Sequence, residues 1–179
     1  MNYQSKKIIG MFARYFFILL LGAGNLYIFY KILMPTTLFL VSKTVGLFTN
    51  VFIIDNVIKM ANFNIEIVPA CVAGSAFFLL FLLIFSTNDI SPKKRMLALI
   101  VSSAILLFLN YSRIVFLIAI ANSFYFNVIH WILWHLVSIV FVVAIWFFVT
   151  KLFGINSVPI YSDIKFLLNI RNEFKEKKK

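Results

Sequence analysis

From Met96 to Thr150 the chain carries one formally charged side chain, Arg113, within two apolar runs that are each long enough to cross a bilayer. A hydrocarbon core takes about 20 helical residues to span. Every backbone polar group inside it must be satisfied by the segment itself. A stretch of this kind is built to be a membrane helix hairpin. Two more such runs lie upstream, at 8–34 and 70–87. Over the 179 residues, 63% are hydrophobic and 13% charged, where soluble domains carry roughly 25% charged residues. Ten-residue segments of alternating polarity are missing, so the spans are helices and not barrel strands. The sequence therefore predicts an all-α integral membrane protein. Its expected form is a bundle of about four transmembrane helices at 8–34, 70–87, 96–121 and 128–150.

The charges order these spans. Lys6, Lys7 and Arg14 precede the first, Lys93, Lys94 and Arg95 separate the second from the third, and Lys151 closes the fourth. By the positive-inside rule all three sites are cytoplasmic, as are both termini. The expected protein is a multi-pass cell-membrane protein whose segment 35–69 stays on the outer side. That segment mixes apolar residues with Lys43, Asp55, Lys59 and Glu66. It reads as a helix in the outer leaflet followed by a short extended or hairpin stretch. The basic N-terminus has no small-residue cleavage site and reads as a retained signal anchor.

Residues 1–157 form the expected membrane-embedded domain and 158–179 a tail. In the tail Ile160, Ile164, Leu167, Leu168 and Phe174 recur near helical spacing between charges, which predicts a basic amphipathic helix on the cytoplasmic surface. The net charge of +11 collects at span ends and in this tail. It marks topology and contact with anionic lipid, and no nucleic-acid partner is expected. A single cysteine, Cys71, forms no internal disulfide. No metal-ligand cluster and no glycine-rich phosphate loop appears, so neither a metal nor a cofactor is expected.

Three functional groups share one depth. Measured from the cytoplasmic flanks at Asn88, Arg95 and Lys151, the residues Cys71, Arg113 and His135 each lie about 25 Å along straight helices. His130 sits about 7 Å further out. Each has an ordinary structural reading: a lone cysteine is a small hydrophobe, an arginine snorkels, and histidines join Trp131 and Trp134 in an interfacial aromatic belt. As a set they have a chemical logic. Cys71 opens a helix after Pro69, and helix starts and nearby cations favour thiolates. An imidazole moves the proton, and a fixed guanidinium stabilises an oxyanion in a water-poor site. Asn110 lies three residues before Arg113 on the same helix face, placed to hold a substrate carbonyl or to position the arginine. Gly74 and Ser75 leave room for another backbone to approach.

The blocks PACVAGSAFFLL, LNYSRI and HLVSIVFVVAIW resemble, in order and spacing, the cysteine, Asn-x-x-Arg-Ile and histidine blocks of the archaeosortase/exosortase family. The resemblance covers roughly residues 65–150. The block reads CVAG where many members have Cys-Ser-Gly, and the interval between Arg113 and His135 is shorter than in longer members, so a small divergent archaeal branch is implied. It also implies a membrane cysteine transpeptidase or protease with catalytic Cys71, Arg113 and His135; by their placement Asn110 and His130 are read beside them as substrate-binding. The implied substrates are secreted surface proteins ending in a short motif, a transmembrane helix and a basic cluster. Cleavage would fall near the outer face, with transfer to a lipid, another amine or water. A different class, a non-enzymatic transporter subunit or assembly scaffold, also accommodates a buried arginine and interfacial histidines.

Overall fold

The computed structural model describes residues 3–24, 26–60, 64–87, 90–155 and 161–176. Helices α1 (Tyr3–Ala23) and α2 (Tyr27–Val45) are followed by strands β1 (Phe52–Ile54), β2 (Val57–Lys59) and β3 (Asn64–Glu66). Then come α3 (Pro69–Val72), α4 (Gly74–Ser86), α5 (Pro92–Ala119) and α6 (Phe126–His135). A π-helical turn (Leu136–Phe141) joins α6 to α7 (Val142–Leu152), and α8 (Tyr161–Glu176) closes the chain. Four stretches are long and apolar enough to cross a membrane: Tyr27–Val45, Pro69–Ser86, Pro92–Ala119 and Phe126–Leu152.

Three of these correspond to the expected spans; the first does not. The run 8–34 is two helices, because Gly24 and Leu26 form a turn. Leu26 adopts a left-handed φ of 58°, and the Tyr27 amide donates back to the Gly24 carbonyl. Pro35 does not end the helix that follows. It lies inside α2, which runs on to Val45; prolines are tolerated in membrane helices where neighbouring groups take up the freed carbonyls. Both helices still ascend together. Arg14 of α1 lies by Thr87 at the basic end of α4, Gly22 faces Phe78 halfway along it, and Phe29 of α2 packs edge-on to Phe78 and Phe81. High on α5, the hydroxyls of Thr44 and Tyr111 share a hydrogen bond. One ascending course is thus divided between two helices.

Helices α4, α5 and α7 pack on one another, with α2 against α4 and α5. Val41, Leu80, Leu106, Val142 and Val149 meet in the core, and the small residues Ala76, Ala98 and Ser102 are buried where helices approach closely. The bundle turns aromatic side chains outward, among them Phe16, Phe108, Phe116 and Phe147, the inverse of a water-soluble surface.

The extended stretch expected after the first span is a three-stranded antiparallel sheet of order β1-β2-β3. Asp55, in the left-handed region, turns the first hairpin, a conformation that aspartate tolerates. Ile58 and Ile67 are wholly buried and fix the sheet onto one end of the bundle. At the opposite, basic end, Asp163 of α8 accepts from Arg14 at 2.8 Å and from Tyr15 at 2.9 Å, and Arg95 donates to the Thr87 carbonyl at 2.9 Å. The tail is therefore anchored through an acid, while Ile164, Leu167 and Leu168 remain exposed. Ile160 and the closing lysines lie outside the described residues.

Candidate functional site: a cavity at Cys71

Cys71 sits in an interrupted helix. Pro69 occupies the first turn of α3, where a missing N–H is harmless. One turn later Ala73 takes a left-handed φ of 58° and α4 starts afresh. A non-glycine residue there is strained by about 1–2 kcal/mol. The break is held from α2: a Cβ on Gly74 would lie 2.6 Å from the Tyr30 ring, so only glycine admits that ring. It is an aromatic ring, and not a second backbone, that exploits the glycine. Ser75 is exposed.

The interruption releases the Cys71 carbonyl from the helical ladder. Two side chains of α5 take it instead: Asn110 Nδ2 donates at 3.0 Å and Arg113 Nη2 at 3.1 Å. Asn110 is 1% exposed and Arg113 6%. Their spacing puts both on one face of α5, aimed at the break. Beyond this bond, Asn110 Oδ1 and Arg113 Nε are buried with no hydrogen-bond partner among the described residues. Buried polar atoms are rarely left in that state.

A cavity of about 290 Å³ opens beside the thiol. It is lined by Ile65 to Val68, by Cys71, by Arg113 and its neighbours on the last turns of α5, and by Phe126 and His130 of α6. The His130 ring stacks flat on Phe126, with centroids 5.7 Å apart.

The structure brings Cys71, Asn110, Arg113 and His130 to one place. It does not bring His135. That ring is exposed, donates from Nδ1 to the Trp131 carbonyl of its own helix at 2.8 Å, and packs on Trp131 and Trp134. The physical reason is helical phase. Five residues at 100° each turn His135 about 140° away from His130, so equal depth does not place it on the same face. The π-helical turn that begins at Leu136 also breaks the straight-helix count from Lys151. Two further features escaped the sequence reading. Asp163 as the partner of Arg14 and Tyr15 had one signal, an acid within a basic tail; the strand wall at 65–68 had none beyond its place before Pro69.

No protein-family model, curated protein or solved structure matches the chain.

Proposed function

We propose that this protein is a membrane cysteine transpeptidase or protease of the archaeosortase/exosortase kind, acting on the C-terminal sorting segment of secreted proteins near the outer membrane face. One observation carries the reading: a thiol, a buried guanidinium and an imidazole, from three different helices, line one cavity. The short sequence blocks around Cys71 and Arg113 support the same reading. His130 takes the role that depth and the histidine block together assigned to His135.

In the proposed reaction the Cys71 thiol gives its proton to the His130 imidazole and the sulfur adds to the scissile carbonyl. The resulting oxyanion is met by the Arg113 guanidinium, whose Nε is uncommitted among the described residues while Nη2 holds the Cys71 backbone. Collapse breaks the C–N bond, and the leaving amine takes the proton from the imidazolium. An acyl-thioester remains on Cys71. An incoming amine, from a lipid headgroup or another acceptor, or a water molecule adds to it and regenerates the thiol. Asn110 acts as a positioning residue, because its Nδ2 is spent on the Cys71 carbonyl.

The test is co-expression with a secreted protein ending in a motif, an apolar helix and a basic cluster. Cys71→Ala should abolish processing while the chain still inserts. Processing that continues in this variant rejects the nucleophile, and with it the enzymatic reading in favour of a scaffold or transporter subunit.

A further inference from the structure

Among the described residues strand β3 is an edge of the sheet, paired with β2 alone. Its register, Val57 with Glu66 and Ile58 with Ile65, together with the bond from the Ile67 amide to the Asn56 carbonyl, sets the alternation of its backbone groups. Ile65 and Ile67 point their N–H and C=O toward β2, and Glu66 points its own away. An edge of this kind is a template for another extended chain.

The cavity beside Cys71 lies along that edge. Four consecutive residues, Ile65, Glu66, Ile67 and Val68, line it, and no residue of β2 does. Strand β3 ends at Glu66, but Ile67, still bonded to Asn56, and the extended Val68 carry its line onward; successive side chains of an extended chain face opposite sides, so a cavity bounded by all four runs along the open side and not over one face. Cys71 and Arg113 line the same cavity, and Arg113 is 6% exposed with no partner for its Nε among the described residues.

We infer that the substrate peptide docks as a fourth strand on β3, with its backbone paired to Glu66 and its scissile carbonyl delivered to Cys71. This rests on the peptide-processing reading of the site and specifies how the peptide is held. The occupant is an extended polypeptide: Glu66 turns one backbone donor and one acceptor outward together, a pair that a strand matches and an acyl chain or sugar does not, while the Val68 carbonyl is taken by the Cys71 amide. Recognition through the backbone leaves sequence preference to the side chains that enter the cavity between Leu117 and His130.

The experiment uses the full chain in lipid vesicles, with hexapeptides of valine and threonine that carry a C-terminal chloromethyl ketone; the thiolate displaces chloride and leaves a thioether on Cys71. Each peptide is N-methylated at one backbone position, and iodoacetamide serves as a small electrophile that needs no docking. Strand pairing gives a period of two: methylation at alternate positions slows labelling about tenfold or more, and methylation at the intervening positions leaves it unchanged. Equal labelling by every methylated peptide overturns the inference, as does the absence of peptide labelling where iodoacetamide still reacts; the nucleophile assignment survives both results. Peptide labelling that falls as protein is packed more densely gives the edge to a second copy of the chain and also overturns it. If Cys71 resists iodoacetamide as well, the proposed function fails along with the docking mode.

Discussion

Asn110 and Arg113 set the behaviour of Cys71 through one carbonyl oxygen. Each donates a hydrogen bond to a backbone group that the break at Ala73 has taken out of the ladder. A buried carbonyl left short of a donor costs about 1–3 kcal/mol. Asn110→Ala should therefore lower the stability of the detergent-solubilised protein by about that amount, read as a fall in Tm. Asn110→Asp should do no better, since a carboxylate presents only acceptors to the carbonyl. Arg113→Lys keeps the charge but loses the planar fork. It cannot both hold the Cys71 carbonyl and reach a substrate oxygen, so processing should fall at least about a hundredfold while membrane insertion, measured by protease protection, is unchanged. The chemistry at this scale was legible in part. A charged residue inside a span marks a functional place, and the three-residue step to Asn110 put both side chains on one face. The histidine was not legible from depth, because azimuth around the helix, and not height alone, decides which of His130 and His135 meets the cavity.

Among the elements, the interrupted pair α3–α4 is the device that makes the site. Proline at the start, a left-handed alanine, and a glycine against Tyr30 each have a separate physical cause, and together they turn a span start into a break. Gly74→Ala should drive a methyl into the Tyr30 ring and destabilise the fold by about 1–3 kcal/mol. The double variant with Tyr30→Leu should recover most of that loss in a thermal melt, because the cause is a clash and not backbone freedom at a glycine. The long apolar runs of α5 and of α6 through α7 were readable directly, since a bilayer leaves few alternatives for them. The first course was misread twice: the chain turns at Gly24 and Leu26 inside the expected span, and α2 runs on past its expected end through Pro35. Propensity signals are weak inside membrane helices, where packing against α4 and α5 fixes the outcome. The sheet was readable as an extended stretch from its β-branched and polar residues, but its third strand and its free edge depend on pairing that no local pattern specifies.

At the scale of the whole molecule, the chain has two unlike ends. One carries the sheet, the cavity and the thiol; the other carries the basic loop at Lys93 and Lys94 and the helix α8, clasped to α1 through Asp163. The Arg14 and Asp163 side chains are 15% and 5% exposed, so the pair is largely withdrawn from solvent, and removing the acid takes away the carboxylate that both Arg14 and Tyr15 bond. Asp163→Asn should release α8 and speed proteolysis of the tail about tenfold, equivalent to about 1.4 kcal/mol, without altering Cys71 at the far end. This polarity matches the proposed task, in which a substrate helix aligned with the bundle keeps its basic cluster at the clasped end and presents its motif to the cavity. The account stands most directly on how fast a membrane-impermeant thiol reagent added from outside alkylates Cys71 at neutral pH. It expects rapid labelling that drops at least about tenfold in His130→Ala and is unchanged in His135→Ala. Labelling that is indifferent to His130, or that reaches Cys71 only from the cytoplasmic side, would contradict it.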